Sequence, residues 1–211
     1  LARFERALGI MEMSNQPQSP AAYRYRVHIA STSRLLGDLD RSIALSLECL
    51  AYYRRTLGPE HQQTTALLNN LGNAYRAAGR LDEAAEVLRE SLRIRLAQQG
   101  PKHPDVLQSR RNLGSLMYTQ GHLDEAYRML NTALTGYREL DSPPRIDLAE
   151  TLHERGEISL ARGHADEALA DAQDGLATLE GQEAPTELEA ELHGLLDRAT
   201  AKLGNVDGAH R

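Results

Sequence analysis

Of the 211 residues 41% are hydrophobic, yet only 4% are aromatic and tryptophan is absent, so leucine and alanine must build the core. The formal net charge of −6 counts against a phosphate-binding nucleic-acid surface, and the single cysteine excludes an internal disulfide framework. No apolar run is long enough to span a membrane and no signal-peptide pattern opens the chain, which predicts a soluble, cytoplasmic protein. Ala, Leu, Glu and Arg dominate and β-branched residues are few, so the expected class is all-α.

One interval of 42 residues runs through the chain. It separates Pro17, Pro59, Pro101, Pro143 and Pro185, and likewise Leu8, Leu50, Leu92, Leu134 and Leu176. Gly37, Gly79, Gly121 and Gly163 keep it too, each followed three residues on by Asp40, Asp82, Asp124 or Asp166. Several residue types holding one register mark stacked repeats in a single array rather than separate domains.

Taken in order, residues 1–15 read as the second helix of a truncated repeat. Residues 16–57, 58–99, 100–141 and 142–183 read as full repeats, and 184–211 as a partial one. Both ends cut through a repeat, with Val206–Ala209 starting another helix, which suggests a piece of a longer protein. In the first full repeat, Ser19-Pro20 predicts an N-cap followed by proline at the first helical position. Cys49 shares its register position with Ser91, Ala133 and Gly175, all small, so a buried thiol is expected rather than a reactive one.

In the second full repeat, Leu67, Leu68, Leu71, Ala74, Tyr75 and Ala78 draw an apolar stripe at helical spacing. Pro59 is placed near the start of that helix and Gly79 ends it in the left-handed conformation. Asp82 and Glu83 then open a second helix with charge favourable to its dipole. Its stripe is Ala84, Leu88, Ser91, Leu92 and Arg95, whose small members permit close approach. Two antiparallel helices joined by a glycine turn result. Ser142-Pro143 predicts the same cap and proline later in the chain, and Thr186 with Glu189 fits a capping box.

Asn70-Leu71-Gly72-x-x-Tyr75, Gly79-x-Leu81-Asp82-Glu83-Ala84, Leu88 and Ser91-Leu92 resemble the tetratricopeptide repeat. The next unit repeats the pattern as Asn112-Leu113-Gly114, Gly121-x-Leu123-Asp124-Glu125-Ala126 and Leu130-x-x-Ala133-Leu134. With Gly58-Pro59-x-His61 and Gly100-Pro101-x-His103-Pro104-Asp105 between units, the long repeat is similar to that of kinesin light chains. Related arrays occur in bacterial signalling proteins. The resemblance covers nearly the whole chain and is strongest over residues 58–140. It implies a right-handed superhelical solenoid of antiparallel helix pairs. It also implies a concave groove, lined by the first helix of each pair, that takes protein or peptide partners.

Residues off the apolar stripe of the first helices are then the candidate peptide-binding set. They are Arg24, His28, Ser31 and Arg34, then Asn69, Asn70, Asn73 and Arg76, then Gln108, Arg111, Asn112, Ser115 and Tyr118. Glu150, His153, Glu154 and Glu157 follow. In the family, the Asn before Leu-Gly commonly bonds a peptide backbone, which the resemblance carries to Asn70 and Asn112 only; the alternative is a bond to the adjacent repeat. Arg24, Arg34, Arg76 and Arg111 predict a basic front of the groove, and Glu150, Glu154 and Glu157 an acidic rear. These charges read either as a site for a partner's acidic segment or as a solvated face. His28 and Glu154 interrupt the family's clamp for a terminal carboxylate, so no such clamp is expected.

No catalytic, metal-binding or cofactor-binding pattern emerges. His61 and His103 occupy equivalent positions of neighbouring repeats, about 10 Å or more apart, and no H-E-x-x-H run is present. They read as residues shaping the turns between repeats. The sequence thus predicts a protein- or peptide-binding adaptor without enzymatic activity, as part of a larger signalling protein. The alternatives are a module self-associating through its repeat ends and a peptide-responsive regulatory domain.

Overall fold

The computed structural model describes residues 1–3, 5, 6, 9, 18–181 and 186–209, side chains excepted at 186 and 205–209. Among the described residues there are nine helices and no strand. They are α1 (Pro20–Leu35), α2 (Leu39–Thr56), α3 (Gln62–Ala77), α4 (Leu81–Gln99), α5 (Pro104–Thr119), α6 (Leu123–Arg138), α7 (Arg145–Ala161), α8 (Ala165–Leu179) and α9 (Thr186–Ala209). Of the helix expected over residues 1–15, residues 2, 3, 5, 6 and 9 are described and helical; the rest of it and the side chain of Thr186 lie outside the described residues. Two compact units result, Leu1–Gln98 and Gln99–Arg211.

In the first unit α1 packs on α2, α2 on α3, and the two first helices α1 and α3 also touch. Small residues set the closeness of α3 and α4. A Cβ on Gly72 would lie 2.4 Å from Leu88, so only glycine admits that side chain at this depth. Ser91, fully buried, donates from Oγ to the Thr65 carbonyl at 2.9 Å. Gly79 follows α3 with φ +73°, and the Arg80 N–H closes the turn on the Tyr75 carbonyl at 2.9 Å. Cys49 is buried as expected, its thiol lying 3.7 Å from the Tyr23 carbonyl. Burial, and then the charge of Glu48, push that thiol up to about 12.

The second unit repeats the plan. Neighbours in sequence pack from α5 to α9, and the first helices form their own row, α5 on α7 and α7 on α9. Leu107, Ala133, Leu134, Tyr137, Leu148 and Leu152 make one core cluster. Another joins Leu160, Ala165, Ala168 and Ala172 to Leu195 and Ala199. Burying such apolar surface supplies the main driving force, at roughly 25 cal/mol per Å².

Three local expectations change. Pro59 lies in the turn before α3, whose N-cap is His61; the imidazole Nδ1 accepts the Gln63 N–H at 3.2 Å. His103 caps α5 in the same way through the Asp105 N–H, with Pro104 at the helix start. The histidines therefore stand at the helix starts, where each turn between repeats ends. Ser142-Pro143 precede α7, which begins after Pro144 without a side-chain cap, whereas Ser19 does cap α1 by accepting the Ala22 N–H at 3.2 Å. Finally, no new helix starts at Val206. Gly204 is not among the glycines with positive φ, so α9 runs unbroken to Ala209.

Candidate functional site

The first helices of the first unit share an unusual composition. Neither α1 nor α3 contains a single Asp or Glu, yet together they carry Arg24, Arg26, Arg34 and Arg76. Arg26 is buried and reaches Glu48 of α2 at 3.4 Å. Arg24, Arg34 and Arg76 make no ion pair among the described residues, and the Nε of Arg76 is buried without an acceptor. Burial, and then the positive charge of Arg76, pull the pKa of Arg34 below its ordinary value. Two like charges thus stand close together with no counter-ion.

Beside Arg24 lie two hollows. One, of about 240 Å³, is lined by Arg24, Val27, His28, Tyr53, Gln63, Ala66, Leu67 and Asn70. The other, of about 440 Å³, shares Arg24, Tyr53 and Gln63 and adds Pro20, Tyr52, Thr56 and Leu57. Of the candidate groove residues, Arg24, His28 and Asn70 therefore converge. Tyr53 and Gln63 were missed by sequence reasoning: Tyr53 comes from the second helix α2, and its signal was a Tyr52-Tyr53 pair in a chain poor in aromatics. Asn69 is only 4% exposed and lies in the interior rather than on a surface, its Oδ1 lacking a donor. Asn73 is half-buried with its Oδ1 in the same condition.

The second unit treats the same face differently. Arg111, expected in the basic front, is paired with Glu150 of α7. The side-by-side packing of α5 and α7 brings the two together, and the guanidinium side chain is only 12% exposed. Burial alone would lower the pKa of Arg111, but the carboxylates of Glu154 and Glu150 outweigh it and hold the charge on. Ser115 donates to Glu154 at 2.5 Å, and Arg198 of α9 to Glu157 at 3.0 Å. His153 sits between Glu157 and Glu191, at 3.5 and 3.8 Å. Elsewhere on α7, Arg155 donates to Asp171 of α8 at 2.9 Å and to Asn131 of α6 at 2.6 Å. Asn112 and Ser115 are buried, Gln108 is half-buried, and Tyr118 is exposed. Asn70 and Asn112, equivalent in sequence, thus differ: the first is open and the second enclosed.

This architecture agrees with the comparisons. The family model described as Tetratricopeptide repeat matches residues 18–97 and 66–139, and a second model of the same description matches 143–167. The chain belongs to the tetratricopeptide repeat family. Its members are generally non-catalytic scaffolds whose typical role is protein–protein interaction. Among solved structures, it is similar to a kinesin-light-chain-type protein of Podosopora anserina with nearly identical TPR-like repeats. There the identity is 22%, the TM-score 0.72, and 92% of each chain is covered. BtubC (BKLC) from P. vanneervenii matches at 18% identity and TM-score 0.73, over 87% of this chain and 77% of that one. A thermophilic TPR protein of Thermus thermophilus matches at 24% and 0.62, over 92% and 87%. A search of curated proteins returns no match. No helix among the described residues is long and apolar enough to cross a membrane.

Proposed function

We propose that this chain is a scaffold that binds a polypeptide segment, extended or helical, on the first-helix face of its first unit, with acidic side chains of the segment over Arg24, Arg34 and Arg76. The observation that carries this reading is the absence of carboxylates from α1 and α3, which leaves three arginines without counter-ions. Guanidinium groups favour carboxylates, and a cationic surface without internal neutralisation attracts an anionic chain at long range. The hollows beside Arg24, floored by Val27, Leu57 and Leu67, offer apolar side chains of the same segment a place to anchor. Asn70, exposed at the rim, can donate to or accept from a peptide group of either orientation.

Selection of random peptides on the immobilised chain tests this directly. The enriched sequences should be rich in Asp and Glu, and their binding should weaken as salt is raised. The triple variant R24E/R34E/R76E should lose about ten-fold or more in affinity. Unchanged affinity in that variant would end the proposal. Arg111, already paired with Glu150, is the control whose replacement by Gln should matter much less.

A further inference from the structure

We propose that Arg34 and Arg76 form a subsite for a phosphorylated side chain within the bound segment. This rests on the reading of the first unit as a polypeptide-binding face and goes beyond it in naming a dianion.

Positions 34 and 76 are equivalent in the 42-residue register, in the last turns of α1 and α3. These two helices touch, and packed helix axes lie about 8–10 Å apart, so the two long side chains can close on one group. Arginines in a last turn often serve the terminal carbonyls, but here those are already taken. Leu36, Gly37 and Asp38 donate to Thr32, Arg34 and Ser33; Ala78, Gly79 and Arg80 donate to Ala74, Arg76 and Tyr75. Both guanidiniums are thus spare donors. The Nε–H of Arg76 is buried without an acceptor, so this guanidinium is not fully satisfied within the protein.

Charge decides the class of anion. A carboxylate balances one guanidinium and leaves the other repelled by its neighbour. A phosphate monoester brings about −1.5 to −2 and three acceptor oxygens, enough to bridge both forks. A dianion would offset the like charge that Arg76 adds to the burial of Arg34, and a carboxylate only half of it. At the equivalent places in the second unit stand Tyr118 and Leu160, so the pair exists once.

The experiment uses the full chain and three degenerate peptide libraries that differ only at one fixed central residue: phosphoserine, Glu or Ser. The phosphoserine library should be retained about ten-fold more than the Glu library. That preference should vanish in R34Q/R76Q and fall in R34K/R76K, which keeps the charge but loses the forks, while thermal melts confirm that both variants fold. Equal retention of the Glu and phosphoserine libraries overturns the phosphate subsite and leaves the acidic-segment reading standing. Retention of no library overturns both. A phosphate preference that survives R34Q/R76Q also overturns the assignment. So does displacement by inorganic phosphate as effective as by phosphopeptide, since that marks a small-anion site.

Discussion

The two units are built from the same repeat, yet their first helices handle charge in opposite ways. In the first unit the arginines of α1 and α3 have no carboxylate on either helix. In the second, Arg111, Arg155 and Arg198 each meet one, from a neighbouring helix. A helical hairpin fixes the spacing of side chains but not their signs. One stretch of repeats can therefore pair its first-helix charges among its own helices while another leaves Arg24, Arg34 and Arg76 without an ion pair among the described residues. What separates the two faces here is whether the adjacent first helix carries acids.

This contrast can be broken or sharpened by substitution. The largest effect belongs to Asp171→Ala. Asp171 is almost fully enclosed, with a side chain 3% exposed against 14% for Arg155, so its loss leaves a buried guanidinium unpaired. A destabilisation of roughly 3–5 kcal/mol is expected in denaturant unfolding of the second unit. A cost near zero would show that the second unit does not depend on its internal pairs.

Glu150→Ala comes next. It removes the hydrogen-bonded partner of Arg111 and leaves only the charge of Glu154, so a loss of roughly 1–3 kcal/mol should appear as a lower melting temperature. The double variant R111L/E150A should recover part of that loss, because the buried guanidinium is gone while Glu154 still accepts from Ser115.

The third prediction uses pH. Burial works against ionisation of Glu157, but the hydrogen bonds from His153 and Arg198 outweigh it and hold the carboxyl below the usual range. A depressed pKa stabilises the fold above the unfolded value of about 4.3 and stops doing so as pH falls through the folded value. Glu157→Gln should therefore melt lower than the parent at pH 7, with the gap closing on acidification below about pH 4. A gap independent of pH would mean that shape rather than charge matters at this position.

The smallest effect has the opposite sign. Arg34→Gln removes one of two like charges and should leave the first unit unchanged or more stable by about 0.5 kcal/mol or less. Clear destabilisation would reveal that Arg34 has a structural task, and would weaken the contrast at its root.

Much of this was legible in the residues themselves. The hairpins, the Gly79 turn, the buried stripe from Leu67 to Tyr75 and the inert Cys49 all follow from spacing, volume and conformational preference. The candidate face was legible only in part. Equivalent residues stand 42 apart, but residues that touch across first helices need not: Arg111 bonds Glu150 and Ser115 bonds Glu154 across 39 positions. That shift, close to one helical turn, comes from how neighbouring helices slide when they pack, and the register alone does not show it. Grouping Arg111 with Arg24, Arg34 and Arg76 by sign alone therefore overlooked its partner. The prolines misled for a related reason. Pro59 and Pro143 recur on the register, yet each falls in a connection, because His61 and Pro144 take the capping positions.

By itself the sequence determined the repeat, the helical class and the family, because these depend on local periodicity and on which side chains fit a crowded interface. Only the tertiary structure decided which charges are free and which are consumed. Electrostatic pairing depends on distance between chain segments that lie about forty residues apart, and that distance exists only once the helices have packed.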